Sequence, residues 1–423
     1  MNALAIGSGA GAPAVQLAGP ARGAAHPSRT ALERLGYGLV AVLIFLGCFV
    51  APKPAPYEFA AFAAIAVWGL VGLRPHRSVL LLAIVLLFWR VGVLIALLPY
   101  VDDPESVTWT SQSIYLAVTA LFFAIFFGED TRRRIHLALR AYGISCVVAA
   151  LGGVASYFVP GDLLFATYGR AAGFFPDPNV FGSYLILGAI HFAHGLIAGT
   201  ARRPRLAALA LAIVMAGVFL SFSRGSWLAA VVGLGLTSLL TWRISPPAIR
   251  RRIVGVAAAS VVLTMLGVAG LLSVGTVGER FTDRAQITHD YDEGETGRFG
   301  NQLRAIPMLL ERPEGFGPLR FYRIFGIDPH NSYIGGFANG GWLGGLGFFG
   351  LVIATVLVCV RLCVRPSPYR DLAAVVCPAL LMFFLQAFQI DIDPWRHVYL
   401  LLGMVWGLEA ARQRWEASRP GPG

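Results

Sequence analysis

A histidine and an asparagine stand side by side in DPHNSYIGG, Asp328 to Gly336, just ahead of a long apolar, glycine-rich run. A neutral imidazole such as His330 can act as a general base. Asn331 can cap the helix that follows and so hold the histidine in place. Arginines occupy three further polar stretches. In FSRGSW, Phe222 to Trp227, two apolar runs are joined by barely four residues, so Arg224 is confined near their ends. A desolvated guanidinium there needs an anion or a carbonyl. GRAAGFFPDPNVFGSYL, Gly169 to Leu185, carries Arg170; its Asp177 and Pro178 shape a turn, and Asn179 is placed to cap the next helix. GRFGNQLRAIPMLLERP, Gly297 to Pro313, opens on Arg298 and continues with Arg304.

An imidazole base and several permanently charged arginines suit one kind of chemistry well. Arginine forks clamp phosphates bidentately and stabilise the charge that grows on a departing pyrophosphate. The base takes the proton of an acceptor hydroxyl. Glycosyl transfer from a lipid-linked pyrophosphate needs both, at the depth of a lipid headgroup. Capping alone accounts for the DPN turn, and a snorkelling interfacial arginine is the plain alternative for Arg224.

The elements that must position these groups are membrane helices. Of the 423 residues, 56% are hydrophobic and only 13% are charged, against about 25% charged in soluble domains. Apolar runs long enough to cross a bilayer recur near 35–51, 57–73, 78–99, 112–128, 135–158, 179–198, 206–222, 226–242, 253–275, 331–360, 372–390 and 398–410. The expected fold is an all-α polytopic membrane protein of about 12 transmembrane helices. One long outward loop with short helices interrupts it. Residues 1–33 read as a disordered cytoplasmic tail, 34–275 as helices one to nine, 276–330 as the loop, 331–410 as the last three helices and 411–423 as a second cytoplasmic tail. No cleavable signal segment is expected near the start.

The net charge of +11 is carried by arginine, with Lys53 the single lysine. Alternate connections are basic: Arg74 and Arg77; Arg132 to Arg134; Arg202, Arg203 and Arg205; Arg250 to Arg252; Arg361, Arg365 and Arg370. By the positive-inside rule these and both tails face the cytoplasm. The charge is thus topology, and no nucleic-acid partner is expected. The loop 276–330 faces outward in spite of Arg280, Arg284, Arg298, Arg304, Arg312, Arg320 and Arg323. Such a loop invites an anionic ligand, unless its own acids simply balance it. Within it, Phe299, Leu303, Ile306 and Leu310 have the spacing of a helix lying on the membrane surface, with Pro307 expected to kink it. EGFGP, Glu314 to Pro318, is a glycine turn back towards the membrane. The five cysteines fall in or beside apolar runs, so neither a structural disulfide nor a zinc site is expected. The acids of HDYDEGE, His289 to Glu295, lack the pattern of a calcium loop and read as a solvated turn. No metal and no cofactor are expected.

GFFPDPNVFGSYL, FSRGSW, ETGRFGNQLRAIPMLLERPEGFGP and DPHNSYIGGFANGGWLG together resemble the O-antigen ligase and polymerase family of bacterial integral-membrane glycosyltransferases. They cover about residues 165–350, in order, with the long loop before the His-Asn pair. The resemblance implies metal-independent transfer from an undecaprenyl-pyrophosphate-linked glycan, at the periplasmic side of the inner membrane. The acceptor would be lipid A–core or a growing polysaccharide. It implies His330 as the catalytic histidine and Arg224 and Arg298 on the donor pyrophosphate; Arg170 and Arg304 are further candidates for binding that pyrophosphate, with Asn331, Asn179 and Asn339 in support. Asn339 stands where the family often has a glutamate.

Two further readings stay open. A polymerase extending the glycan would use the same site as a ligase. A transporter or lipid flippase shares the layout of twelve spans, but the expected spans hold no mid-membrane acid for an ion relay. Arg90, in VLLFWRVGVLIAL, lies mid-span with no acid expected at its depth. It either holds a lipid phosphate or binds carbonyls inside the bundle.

Overall fold

The computed structural model describes residues 27–50, 55–158, 165–167, 169–273, 275, 278, 281 and 297–419. Its helices are α1 (Pro27–Phe45), α2 (Pro56–Val71), α3 (Arg77–Leu97), α4 (Pro104–Gly128), α5 (Thr131–Phe158), α6 (Pro178–Ile197) and α7 (Pro204–Leu220). Then follow α8 (Arg224–Ile244), α9 (Pro247–Leu272), α10 (Arg298–Leu310), α11 (Arg320–Phe325), α12 (Ser332–Val364), α13 (Arg370–Gln386) and α14 (Arg396–Ala417). Apart from the short α10 and α11, each helix falls on one of the apolar runs. Among the described residues, seven are long and apolar enough to cross a membrane; α2 and α7 are shorter apolar helices. The chain is a polytopic, all-helical membrane protein. The first helix starts at Pro27, inside the stretch expected as tail, and the last continues to Ala417. Residues 289–295, the acidic stretch, lie outside the described residues.

Apolar side chains are sorted as a bilayer demands. Trp68, Tyr142, Tyr184, Phe123, Tyr399 and Trp406 are fully buried between helices, while Leu70, Leu80, Leu87, Val231 and Leu346 stand exposed. In water such a surface would be costly; hydrocarbon covers it without cost. Helices α3 and α12 cross almost backbone to backbone. A Cβ on Gly92 would fall 2.3 Å from the Gly344 amide nitrogen. Small residues permit that approach, which dispersion and Cα–H contacts then stabilise.

Helix α12 is broken at Gly341, whose φ of 62° and ψ of −163° are non-helical. The expected glycine turn fills the break. The Trp342 amide donates to the Pro313 carbonyl at 2.8 Å, and the Phe316 amide to the Ala338 carbonyl at 2.8 Å. Backbone groups freed by the break are thereby satisfied within protein, as hydrocarbon requires. The first part of α12 becomes a short separate helix that begins at the His-Asn pair.

Charge separates the two ends of the bundle. At one end Arg320 pairs with Asp103 at 2.6 Å, and Arg323 lies 3.7 Å from Asp103 and 3.8 Å from Glu105. The Ser106 hydroxyl's hydrogen bond, and after it these arginines, hold the Asp103 carboxyl below its ordinary pKa. At the other end Arg132 pairs with Asp371 at 2.7 Å and Arg414 donates to the Gly128 carbonyl at 2.5 Å. Helix α4, 25 residues and so about 37 Å long, runs between the two ends. The two connections read as outward, 101–103 and the long loop, meet on one face.

Candidate active site

The corner at His330 is anchored from several sides. His330 itself has a left-handed φ of 44° and is half-buried. The Asn331 side-chain oxygen accepts from the amides of Tyr333 at 3.0 Å and Ile334 at 3.2 Å, capping α12. Gln302 of α10 donates to the Pro329 carbonyl at 2.7 Å. The Ser332 amide donates to the Ala387 carbonyl at 2.7 Å. The Ser332 hydroxyl accepts from the Ile392 amide at 2.8 Å and donates to the Ile390 carbonyl at 3.0 Å. Anchoring of this kind fixes the backbone that carries the imidazole.

The turn carrying Arg224 is tied to the same neighbourhood. Ser223 caps α8 by accepting from the Ser226 amide at 3.3 Å. Phe222 before it is buried and has a φ of 47°. The Gly225 carbonyl accepts from the Gln386 side chain at 3.0 Å. Gln386 and Ala387 are consecutive, so the end of α13 holds the Arg224 turn with one residue and the His330 corner with the next.

Arg170 is buried. Its Nε donates to the Ser221 carbonyl at 2.8 Å and its Nη2 to the Asn179 side chain at 2.7 Å. An antiparallel hairpin, β1 (Phe165–Thr167) and β2 (Arg170–Gly173), delivers it. This hairpin is the one departure from an all-helical reading among the described residues. The cap of α6 also differs from expectation. Asp177, not Asn179, is the capping residue, accepting from the Asn179 amide at 2.7 Å. With proline at the first helical position, the helix starts two residues earlier than a cap at Asn179 would place it, which leaves the Asn179 side chain to receive Arg170.

Arg298 opens α10, one turn ahead of Gln302, with its guanidinium 4.7 Å from the Phe299 ring. The Gln302–Pro329 bond ties α10 to the His330 corner, one helical turn from Arg298. Helix α10 buries Asn301, Gln302, Ala305 and Leu309 and runs on through Pro307 to Leu310. Its other side is apolar and open: Phe299 is 49% exposed, Leu303 70%, Ile306 44% and Leu310 65%. That arrangement fits a helix resting on the headgroup layer. Arg304 is exposed, 3.4 Å from the Asn301 side chain and 5.7 Å from the Phe325 ring. Asn339 accepts from the Leu319 amide at 3.2 Å. Leu319 has a φ of 61°, so Asn339 secures a strained turn, a task for its carbonyl oxygen that needs no charge. Of the four non-glycine residues with positive φ among those described, Phe222, Leu319 and His330 lie in this region, where strain is commonly held for function.

Two carboxylates enter that the span-by-span reading did not place. DIDPWRH, Asp391 to His397, connects α13 to α14 and folds back into the bundle. Asp393 from it grips Arg90, at 2.8 Å and 3.1 Å, correcting the expectation that no acid reaches the depth of that arginine. Ser113 and Tyr399 complete the cluster, and Trp89 stacks on the guanidinium at 3.6 Å. Arg90 is thus held by protein. Asp391 receives the Ser332 hydroxyl at 3.2 Å. Burial, then the neighbouring Asp393 charge, push its carboxyl up to about 7. Both acids line a small cavity with Trp89, Trp109, Ser332 and Asn339, beneath the first turn of α12. The signal for them was a pair of acids in a very short outward connection. Among the described residues no group of three His, Cys, Asp or Glu side chains is arranged to hold a metal.

Residues 207–349, about a third of the chain, match a family model described as O-antigen ligase. Over that stretch the chain is similar to the O-antigen ligase family. No curated protein matches it. The O-antigen ligase region contains the Arg224 turn, α10 and the His330 corner, and ends eight residues beyond the helix break at Gly341. The hairpin with Arg170 and the loop with Asp391 and Asp393 lie outside it, yet both bond directly to the O-antigen ligase region. The family supports a glycosyltransferase-like role in polysaccharide synthesis within a membrane.

Proposed function

We propose that the protein transfers a glycan from an undecaprenyl-pyrophosphate carrier to an acceptor hydroxyl, as an O-antigen ligase, at the periplasmic face of the inner membrane. Twelve spans with both termini cytoplasmic put the Arg320–Asp103 end outside. In this reading His330 removes the proton of the acceptor hydroxyl. The oxygen attacks the anomeric carbon, the bond from that carbon to the diphosphate breaks, and the diphosphate leaves with the electron pair. Arg224 and Arg298 bind the diphosphate and stabilise the charge it gains; no metal is needed for that charge. Arg170 positions the Arg224 turn, with Asn179 as its partner, and Asn331 positions His330. Arg304 stands at the outer rim.

One observation carries the reading. A continuous set of hydrogen bonds links Arg170, the Arg224 turn, the end of α13, the His330 corner and α10. Four stretches separated by scores of residues converge on one end of the bundle, at the level of a surface-lying helix. Ion relay by a transporter finds less support. The buried carboxylates Asp393 and Glu409 are both clasped by arginines, and Asp391 lies in the connection between α13 and α14 rather than within a span.

The test is reconstitution. Purified protein with a lipid-linked glycan donor and lipid A–core should yield glycosylated lipid A–core and free carrier diphosphate. A ladder of longer glycans on the carrier, without any product on lipid A–core, would replace ligase by polymerase. Passage of the donor across a liposome with no transfer would remove the enzyme reading.

A further inference from the structure

At the end of the bundle opposite the candidate active site lies an open cavity of about 620 Å³ between α1 and α5. Its lining is strongly cationic. Arg132, Arg133 and Arg140, with His136, face one carboxylate, Asp130. Tyr37 supplies the wall from α1, its hydroxyl donating to Asp130 at 3.2 Å. Arg132 is committed to Asp371. Arg133 lies 3.6 Å from Asp130 and 4.4 Å from the Tyr37 ring. Arg140 is exposed and has no acid partner among the described residues.

The order of residues along α5 gives the cavity a direction. Arg133, His136, Leu137 and Arg140 follow helical spacing, so they lie on one face. The same face continues with Ile144 and Leu151, which are exposed. Arg140 stands nine residues into the helix, about 13 Å from its first residue. A charge needed only for topology would sit at the helix end; this one falls inside the apolar run expected over 135–158. Cationic side chains above an exposed apolar stripe have the layout of a phospholipid, with phosphate at the top and acyl chain below. The cavity volume is also in the range of small-ligand sites, about 300–1,000 Å³.

We infer that this cleft binds the phosphate-bearing headgroup of an anionic phospholipid of the cytoplasmic leaflet, with Arg133 and Arg140 on the phosphate and Ile144 and Leu151 along an acyl chain. Basic recesses between membrane helices on that side favour such headgroups. The site lies at the opposite end of the bundle from His330 and does not depend on the transfer chemistry.

Native mass spectrometry of the full-length detergent-solubilised protein tests it. With phosphatidylglycerol added, the protein should retain a bound lipid; phosphatidylcholine should not replace it. Arg140→Ala should weaken retention roughly fivefold, and Arg133→Ala with Arg140→Ala more than tenfold. Arg140→Lys should keep most of it, and Arg140→Glu should abolish it. Both positions are exposed, so the melting temperature in phosphatidylcholine should stay within a degree or two of the parent. Equal retention of phosphatidylglycerol by parent and Arg140→Glu would overturn the proposal, as would equal retention of phosphatidylcholine. Displacement of the lipid by millimolar inorganic phosphate would instead make this a free-phosphate site and reject the lipid.

Discussion

The Arg90 guanidinium is gripped by the Asp393 carboxylate at 2.8 and 3.1 Å, across 303 residues of sequence. This buried pair ties α3 to the loop that also carries Asp391 beside Ser332. It therefore braces the floor beneath His330 while touching neither donor nor acceptor in the proposed reaction.

Removing one partner leaves the other charge buried and uncompensated, at a cost of about 3–5 kcal/mol. Asp393→Ala should accordingly lower the unfolding temperature in detergent by many degrees. Replacing both, Arg90→Met with Asp393→Leu, should recover much of the loss. A double variant no more stable than the single one would mean that the pair is not the source of the effect.

His330→Ala should lower transfer by about 10²–10⁴-fold while the protein still accumulates in the membrane at its usual level. Asn331→Ala should act more weakly and through the same residue, since it removes the cap that sets the corner. Near-normal product from well-folded His330→Ala would remove that residue from the chemistry.

Arg224→Lys and Arg298→Lys should both remain poor enzymes, because an ammonium point charge does not reproduce the guanidinium fork. Donor titration reads this as a raised KM, a reduced kcat, or both. Full activity in either lysine variant would reduce that arginine to a supplier of general positive charge.

Asp391 makes stability depend on pH in a set direction. Its carboxyl is raised from 3.8 to about 7 in the fold, so the native state binds a proton that the unfolded chain has released. Its contribution is fully present below about pH 4 and is lost as pH rises to about 7. The melting temperature should fall over that window, and Asp391→Asn should flatten the slope. An unchanged slope in the asparagine variant would place the pH dependence elsewhere.

Transfer by the purified protein should survive excess chelator, because Arg224 and Arg298 supply positive charge to the leaving diphosphate. Loss of activity on chelation, restored by magnesium or manganese, would bring the acids at 290 and 292 into the reaction.

Much of this architecture is legible locally. The apolar runs mark the helices because burying about 20 apolar residues in hydrocarbon is favourable wherever the segment lies in the fold. Asn331 reads as a cap, and Phe299, Leu303, Ile306 and Leu310 as an outward stripe, because both depend only on residues within two turns. The hairpin with Arg170 escapes such a reading, having only three residue pairs and packing against α5 and α6. The Asp177 cap is missed by two residues, since Asp177 and Asn179 on either side of Pro178 are both able to cap a helix.

What the chain determines by itself is therefore its helices, their caps and the unequal distribution of arginine between alternate connections. Each of these is decided within a window of one span. Only the tertiary structure decides that Gln386 and Ala387 join the Arg224 turn to the His330 corner, that Asp393 reaches Arg90, and that Asn339 holds the turn at Leu319. Those bonds depend on which helices meet and at what depth, and that choice is made by close backbone approach at Gly92 and Gly344 and by the need to satisfy every polar group inside hydrocarbon. Neither constraint leaves a periodic trace along the chain.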